Sequence, residues 1–162
     1  MRLLTLSSGI TRSFAAIFDP GDEPIAALKA AAREAQLDAA QLTGIGAFES
    51  ATVGWFDLAA RDYRRIEVEE QVEVVSFLGD ITLGPPEGDE PAVHVHAFLG
   101  RADGSLVGGH LLAGRVRPTL EVVITEAPTE LRRRHDPATG LALIDRIGSA
   151  APHGRQAPEG AC

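Results

Sequence analysis

Val93-His94-Val95-His96-Ala97-Phe98-Leu99-Gly100-Arg101-Ala102-Asp103-Gly104-Ser105-Leu106-Val107-Gly108-Gly109-His110-Leu111-Leu112 gathers three of the chain's five histidines into one stretch. Side chains alternate faces along a strand, so His94 and His96 point one way while Val93 and Val95 enter the opposite layer. Arg101-Ala102-Asp103-Gly104-Ser105 has the composition of a hairpin turn. With Asp103 at its centre, the register sets Gly100 opposite Leu106 and His96 opposite His110. Directly paired residues have Cβ atoms about 4.5–5.5 Å apart, close enough for imidazole nitrogens to converge on one ion at roughly 2.0–2.1 Å. A slip of one residue would send His110 to the other face and leave a two-histidine pair. Gly108-Gly109 tolerate a bulge or the close approach of another backbone, either of which re-aims His110.

Spacing alone leaves two readings open. His94, His96 and His110 are either three ligands of a metal with an open fourth position, or satisfied and surface histidines. His135 and His153 read as loop residues. Any metal site must draw on His, Asp or Glu, because the one cysteine is Cys162. That count also rules out an intrachain disulfide.

Around the hairpin the sequence keeps the same character, with β-branched and aromatic runs separated at short intervals by Gly, Pro and Asp. The expected strands are Phe14–Phe18, Ala40–Ile45, Ala51–Phe56, Tyr63–Val68, Val72–Leu83, Ala92–Leu99, Leu106–Ala113 and Leu120–Glu126. Gly84-Pro85-Pro86-Glu87-Gly88-Asp89-Glu90-Pro91 reads as a loop between sheet segments, since neither a helix nor a central strand accepts that proline density. One long helix stands out. Asp22 is positioned to cap it, Pro24 fits its first turn, and Ile25, Leu28, Ala32 and Ala35 share a face before an end near Leu37. The expected fold is therefore α+β, a single compact domain with a mainly antiparallel sheet and one principal flanking helix. From Pro152 onward there is almost nothing to bury, which suggests a disordered tail.

At 162 residues the chain has the size of one domain, and 44% apolar against 23% charged residues is ordinary for a globular protein. No run approaches the roughly 18 apolar residues of a membrane helix, and the start does not look like a secretory signal. A cytoplasmic protein with no membrane partner is the expectation. The net charge of −8, from 15 Lys+Arg against 23 Asp+Glu, disfavours nucleic acid as a partner, because that affinity comes largely from cations neutralising phosphates. Arg132-Arg133-Arg134 and Arg64-Arg65 read as solvated faces.

His94-Val95-His96, Gly108-Gly109-His110-Leu111, Gly44-Ile45-Gly46-Ala47-Phe48, Val53-Gly54-Trp55-Phe56-Asp57 and Val72-Glu73-Val74-Val75-Ser76-Phe77-Leu78-Gly79-Asp80-Ile81 together resemble the bacterial branch of the plant-and-prokaryote-conserved (PPC) family. The resemblance runs from about residue 5 to about residue 145, giving a PPC-like domain over 1–147 and a tail over 148–162. It implies a homotrimer in which His94, His96 and His110 hold zinc or another divalent transition metal, and a binding or regulatory role. Relatives often carry a DNA-binding label, and plant members bind DNA through an added AT-hook. This chain lacks the Arg-Gly-Arg-Pro core of that hook; Gly114-Arg115-Val116-Arg117-Pro118 comes nearest and has no central glycine. The fold is also similar to that of acetolactate decarboxylases, which implies an alternative: a zinc enzyme, decarboxylase-like or hydrolytic, acting on a small anionic ligand. Glu73, Arg115 and Glu121 are the candidate acid/base or supporting residues, each with an ordinary ion pair or solvated side chain as its plain reading.

Overall fold

The computed structural model describes residues 1–9, 11–88 and 90–145. The chain order is β1 (Arg2–Ser8), β2 (Arg12–Phe18), α1 (Pro24–Glu34), β3 (Ala39–Asp57), β4 (Asp62–Val68), β5 (Val72–Leu83), β6 (Pro91–Gly100), β7 (Leu106–Glu126), β8 (Arg133–His135) and β9 (Ala142–Ile144). The α+β expectation holds: one helix flanks a seven-stranded sheet of order β1-β2-β7-β6-β5-β3-β4, and every pairing within it is antiparallel. A further pairing joins β7 to β3, so β3, β5, β6 and β7 close into a ring.

Two long strands replace four expected short ones. β3 runs unbroken through Gly46, and β7 runs through Pro118. The residues that read as breakers sit in irregularities of the ladder: β3–β7 pairing shifts register between Gly46 and Phe48, where Leu120 and Val116 are the partners and Arg117-Pro118-Thr119 bulge out between them. A bulge removes the need for proline to donate to the ladder. Three strands, β1, β8 and β9, lie where no strand was expected, and His135 belongs to β8 rather than to a loop.

The core follows the period-two pattern of the strands. Leu120, Val122 and Ile124 of β7 are buried, and Val95, Ala97 and Leu99 of β6 meet them with Phe48, Phe77 and Leu42. Helix α1 lays Leu28 and Ala32 onto this cluster, with Ile25 and Ala35 packed partly against it. The helix starts differently from expectation. Its N-cap is Glu23, which makes no side-chain capping bond, while Asp22 accepts the Asp19 amide at 2.9 Å and pairs with the N-terminal ammonium at 2.6 Å. It ends at Glu34, where Gln36 turns to a φ of 51°. Among the described residues, no helix is long and apolar enough to cross a membrane. The expected tail, with His153, lies outside the described residues.

Candidate metal centre

The hairpin register is the one the turn dictates: His96 pairs with His110, Ala97 with Gly109 and Gly100 with Leu106. Gly104 supplies the left-handed turn residue at φ 82°, and Asp103 accepts the Ser105 amide at 2.8 Å. Gly109 explains why His110 can sit here at all. An added Cβ at that position would lie 2.5 Å from the Gly54 carbonyl oxygen, so β3 and β7 approach this closely because no side chain intervenes.

The three imidazoles converge. Ring centroids are 5.0 Å apart for His94–His96, 4.9 Å for His94–His110 and 5.6 Å for His96–His110. One nitrogen from each lies within 4.8 Å of the others. A tetrahedral ion at roughly 2.0–2.1 Å would draw such nitrogens to about 3.4 Å, a contraction that side-chain rotation can supply. His110 Nδ1 is buried and makes no hydrogen bond. An orphaned buried nitrogen is costly, and burial, reinforced by His94 and His96, pushes His110 down to about 4. His96 is lowered for the same first reason, desolvation. Both rings are thus held neutral, the state in which imidazole ligates.

The residues around the triad were missed in the sequence. Tyr63 of β4 stacks on His110 at 4.8 Å and 22°, and meets Phe56 edge-on at 5.0 Å. Its ring occupies the space above Gly54, where a Cβ would lie 2.7 Å from Tyr63 Cδ1. Burial raises the Tyr63 phenol, with Arg133 opposing. Asp80 stands opposite His94 in the β5–β6 register, its Oδ2 3.7 Å from His94 Nδ1. Burial pushes this carboxyl up, but His94 and Arg133 outweigh it and hold it below the usual range. Arg133, expected on a solvated face, is buried. Its Nη2 donates to Asp80 Oδ1 at 2.6 Å, its Nε to Thr82 at 3.2 Å and its Nη1 to the Ala142 carbonyl at 2.9 Å.

The three acid/base candidates lie elsewhere on the chain. Glu73 is exposed and pairs with Gly100, four positions along β6 from His96, about 13 Å at strand rise. Arg115 is exposed and donates to Glu49 at 2.5 Å. Glu121 is exposed on β7 opposite Ile17 and Ile45.

Residues 6–128 match the profile of the Plants and Prokaryotes Conserved (PCC) domain. The chain belongs to this family. Among solved structures, a PPC protein from Pyrococcus horikoshii is 26% identical with TM-score 0.77, covering 87% of this chain and 98% of its own. A metal-containing protein from Archaeoglobus fulgidus is 28% identical with TM-score 0.76, covering 90% of this chain and all of its own (100%). A protein from Bacteroides thetaiotaomicron with a provisional DNA-binding name has the same fold at 24% identity and TM-score 0.78, covering 90% and 98%. The expected likeness to acetolactate decarboxylases is present at the level of fold, in a Staphylococcus aureus protein similar to that enzyme, at 15% identity and TM-score 0.51, covering 70% of this chain and 51% of its own. No curated protein matches the sequence.

Proposed function

We propose that this PPC-domain protein binds one zinc-class divalent transition metal per chain through His94, His96 and His110 and serves a binding or regulatory role as a cytoplasmic homotrimer. The observation that carries the reading is the convergence of three imidazole nitrogens within 4.8 Å, one ring having a buried nitrogen without a partner. The metal-containing relative from Archaeoglobus fulgidus supports it. Such an ion supplies a positive charge and Lewis acidity, and three protein ligands leave a position at which a small anion can bind. Glu73, Arg115 and Glu121 lie away from the triad within one chain, so these three lend no support to the enzyme alternative.

The trimer is supported by the face that carries His96. Leu78 pairs with His96, Thr43 with Leu78 and Val123 with Thr43, so all share one face with Phe98. Leu78, Phe98 and Val123 are 53%, 56% and 41% exposed, a grouping of large apolar side chains of the kind that marks an interaction surface. Generic duplex DNA is a poor partner. Arg132, Arg133 and Arg134 already pair with Glu130, Asp80 and Asp145, which leaves little for phosphates.

Elemental analysis of the purified chain tests the reading: one metal per chain is expected, mostly lost in His94→Ala and His110→Ala. Full retention in both variants would refute the three-histidine site.

A further inference from the structure

Asp80 and Arg133 form a unit aimed at the triad. Asp80 Oδ1 is occupied by Arg133, whose guanidinium is itself pinned by Thr82 and the Ala142 carbonyl. The second oxygen, Oδ2, faces His94 Nδ1. A guanidinium with only 9% of its side chain exposed must be paired, because an uncompensated buried charge is expensive. Yet that pairing uses only one carboxylate oxygen. The other is held at a fixed place beside an imidazole, and imidazoles that ligate metals ordinarily donate their free N–H to such an acceptor.

We propose that Asp80, clamped by Arg133, is a positioning residue for the metal centre: it accepts Nδ1–H of His94 and thereby leaves Nε2 as the nitrogen turned toward His96 and His110. The inference rests on the metal-site reading and adds how one ligand is set. At 3.7 Å the contact is longer than a hydrogen bond. Closing it to the roughly 2.7–2.9 Å of a charge-assisted bond takes a movement of about 1 Å, on the scale of the contraction the three nitrogens need to embrace one ion. Because Asp80 cannot follow the ring freely, the ring comes to Asp80. Arg133 lies on β8, past residue 128 where the family match ends. The clamp is therefore delivered by the β8–β9 hairpin, and the segment leading into β8 is itself tied to the end of β5, where the Leu83 amide donates to the Leu131 carbonyl at 2.8 Å.

The competing possibility is that Arg133–Asp80 merely staples this hairpin to β5. Zinc affinity, read by competition with a chromogenic chelator on the full chain, separates the two. Asp80→Ala is expected to weaken zinc binding about 10- to 100-fold and Asp80→Asn about 10-fold. Arg133→Gln should weaken it less, and Asp80→Ala combined with Arg133→Gln should bind no worse than Asp80→Ala alone, since Arg133 acts through Asp80. Nitrogen-15 NMR of zinc-loaded wild type supplies a readout that needs no variant: His94 should be protonated at Nδ1. Zinc affinity within twofold of wild type in Asp80→Ala, or a His94 protonated at Nε2, would overturn the proposal while leaving the metal site intact. A wild-type chain that binds no zinc would overturn both.

Discussion

Replacing Gly109 by alanine should damage fold and site together. The new Cβ would lie 2.5 Å from the Gly54 carbonyl oxygen, whereas ordinary contact begins near 3.4 Å. The two strands must part by about 0.9 Å, at the point where Gly54 pairs with His110. Overpacking of this kind costs about 1–3 kcal/mol, and for a chain of this size each kcal/mol is worth roughly 2–4 °C in Tm. A fall of about 2–12 °C follows in the chelated protein. The same displacement carries the adjacent His110 by several times the roughly 0.2 Å tolerance of a metal ligand, so zinc affinity should fall at least about 10-fold. Differential scanning calorimetry and chelator competition read the two effects. Gly88→Ala is the control, since its Cβ would meet nothing within 4 Å, and its Tm should move by no more than about 1–2 °C. A Gly109→Ala protein with wild-type Tm and wild-type zinc affinity would refute the close-approach argument.

Glu126→Gln should lower stability by about 3 kcal/mol, seen in urea denaturation, because Arg12 then loses the carboxylate it meets at 2.6 Å on a residue only 8% exposed. In the metal-free protein, His110 is held near 4 chiefly by burial, so the unfolded chain takes up a proton between about pH 6.5 and pH 4 that the folded chain refuses. Its contribution to stability is therefore full above that window and is lost as pH falls through it; a Tm that does not decline more steeply there in wild type than in His110→Ala would contradict this. The proposed trimer is tested by light scattering: the wild type should have the mass of three chains, and Leu78→Glu should shift it toward one by placing a charge on the apolar face; a monomeric wild type would refute the assembly, and an unchanged trimer would move the interface elsewhere.

The hairpin was legible because its information is local: turn chemistry, strand alternation and two glycines set His96 opposite His110 within a few residues of one another. The long strands were not. Gly46 and Pro118 interrupt a pattern read residue by residue, yet a bulge absorbs both without ending the strand. Arg132-Arg133-Arg134 shows a different failure. As a charge run it looks solvated, and nothing adjacent reveals that the middle arginine reaches back 53 residues to Asp80. Tyr63 left one trace, the glycine at position 54 in an otherwise packed strand, which signals that something comes close but not what.

This division between local and distant information bears on what the proposed metal site depends on. All three imidazoles come from one hairpin, which could suggest a self-contained metal-binding element. An isolated two-stranded hairpin is marginal in water, however, and each feature that disciplines the rings comes from outside it. β3 provides the Gly54 carbonyl that closes on Gly109 beside His110, β4 provides the Tyr63 ring against His110, β5 provides Asp80, and β8 provides the arginine that fixes Asp80. A ligand that binds only the assembled site stabilises everything that assembles it. Zinc should therefore protect the β8–β9 hairpin as well as the β6–β7 hairpin from hydrogen exchange. Protection confined to β6–β7 would mean that the outer residues are bystanders, and that the ion answers to the histidines alone.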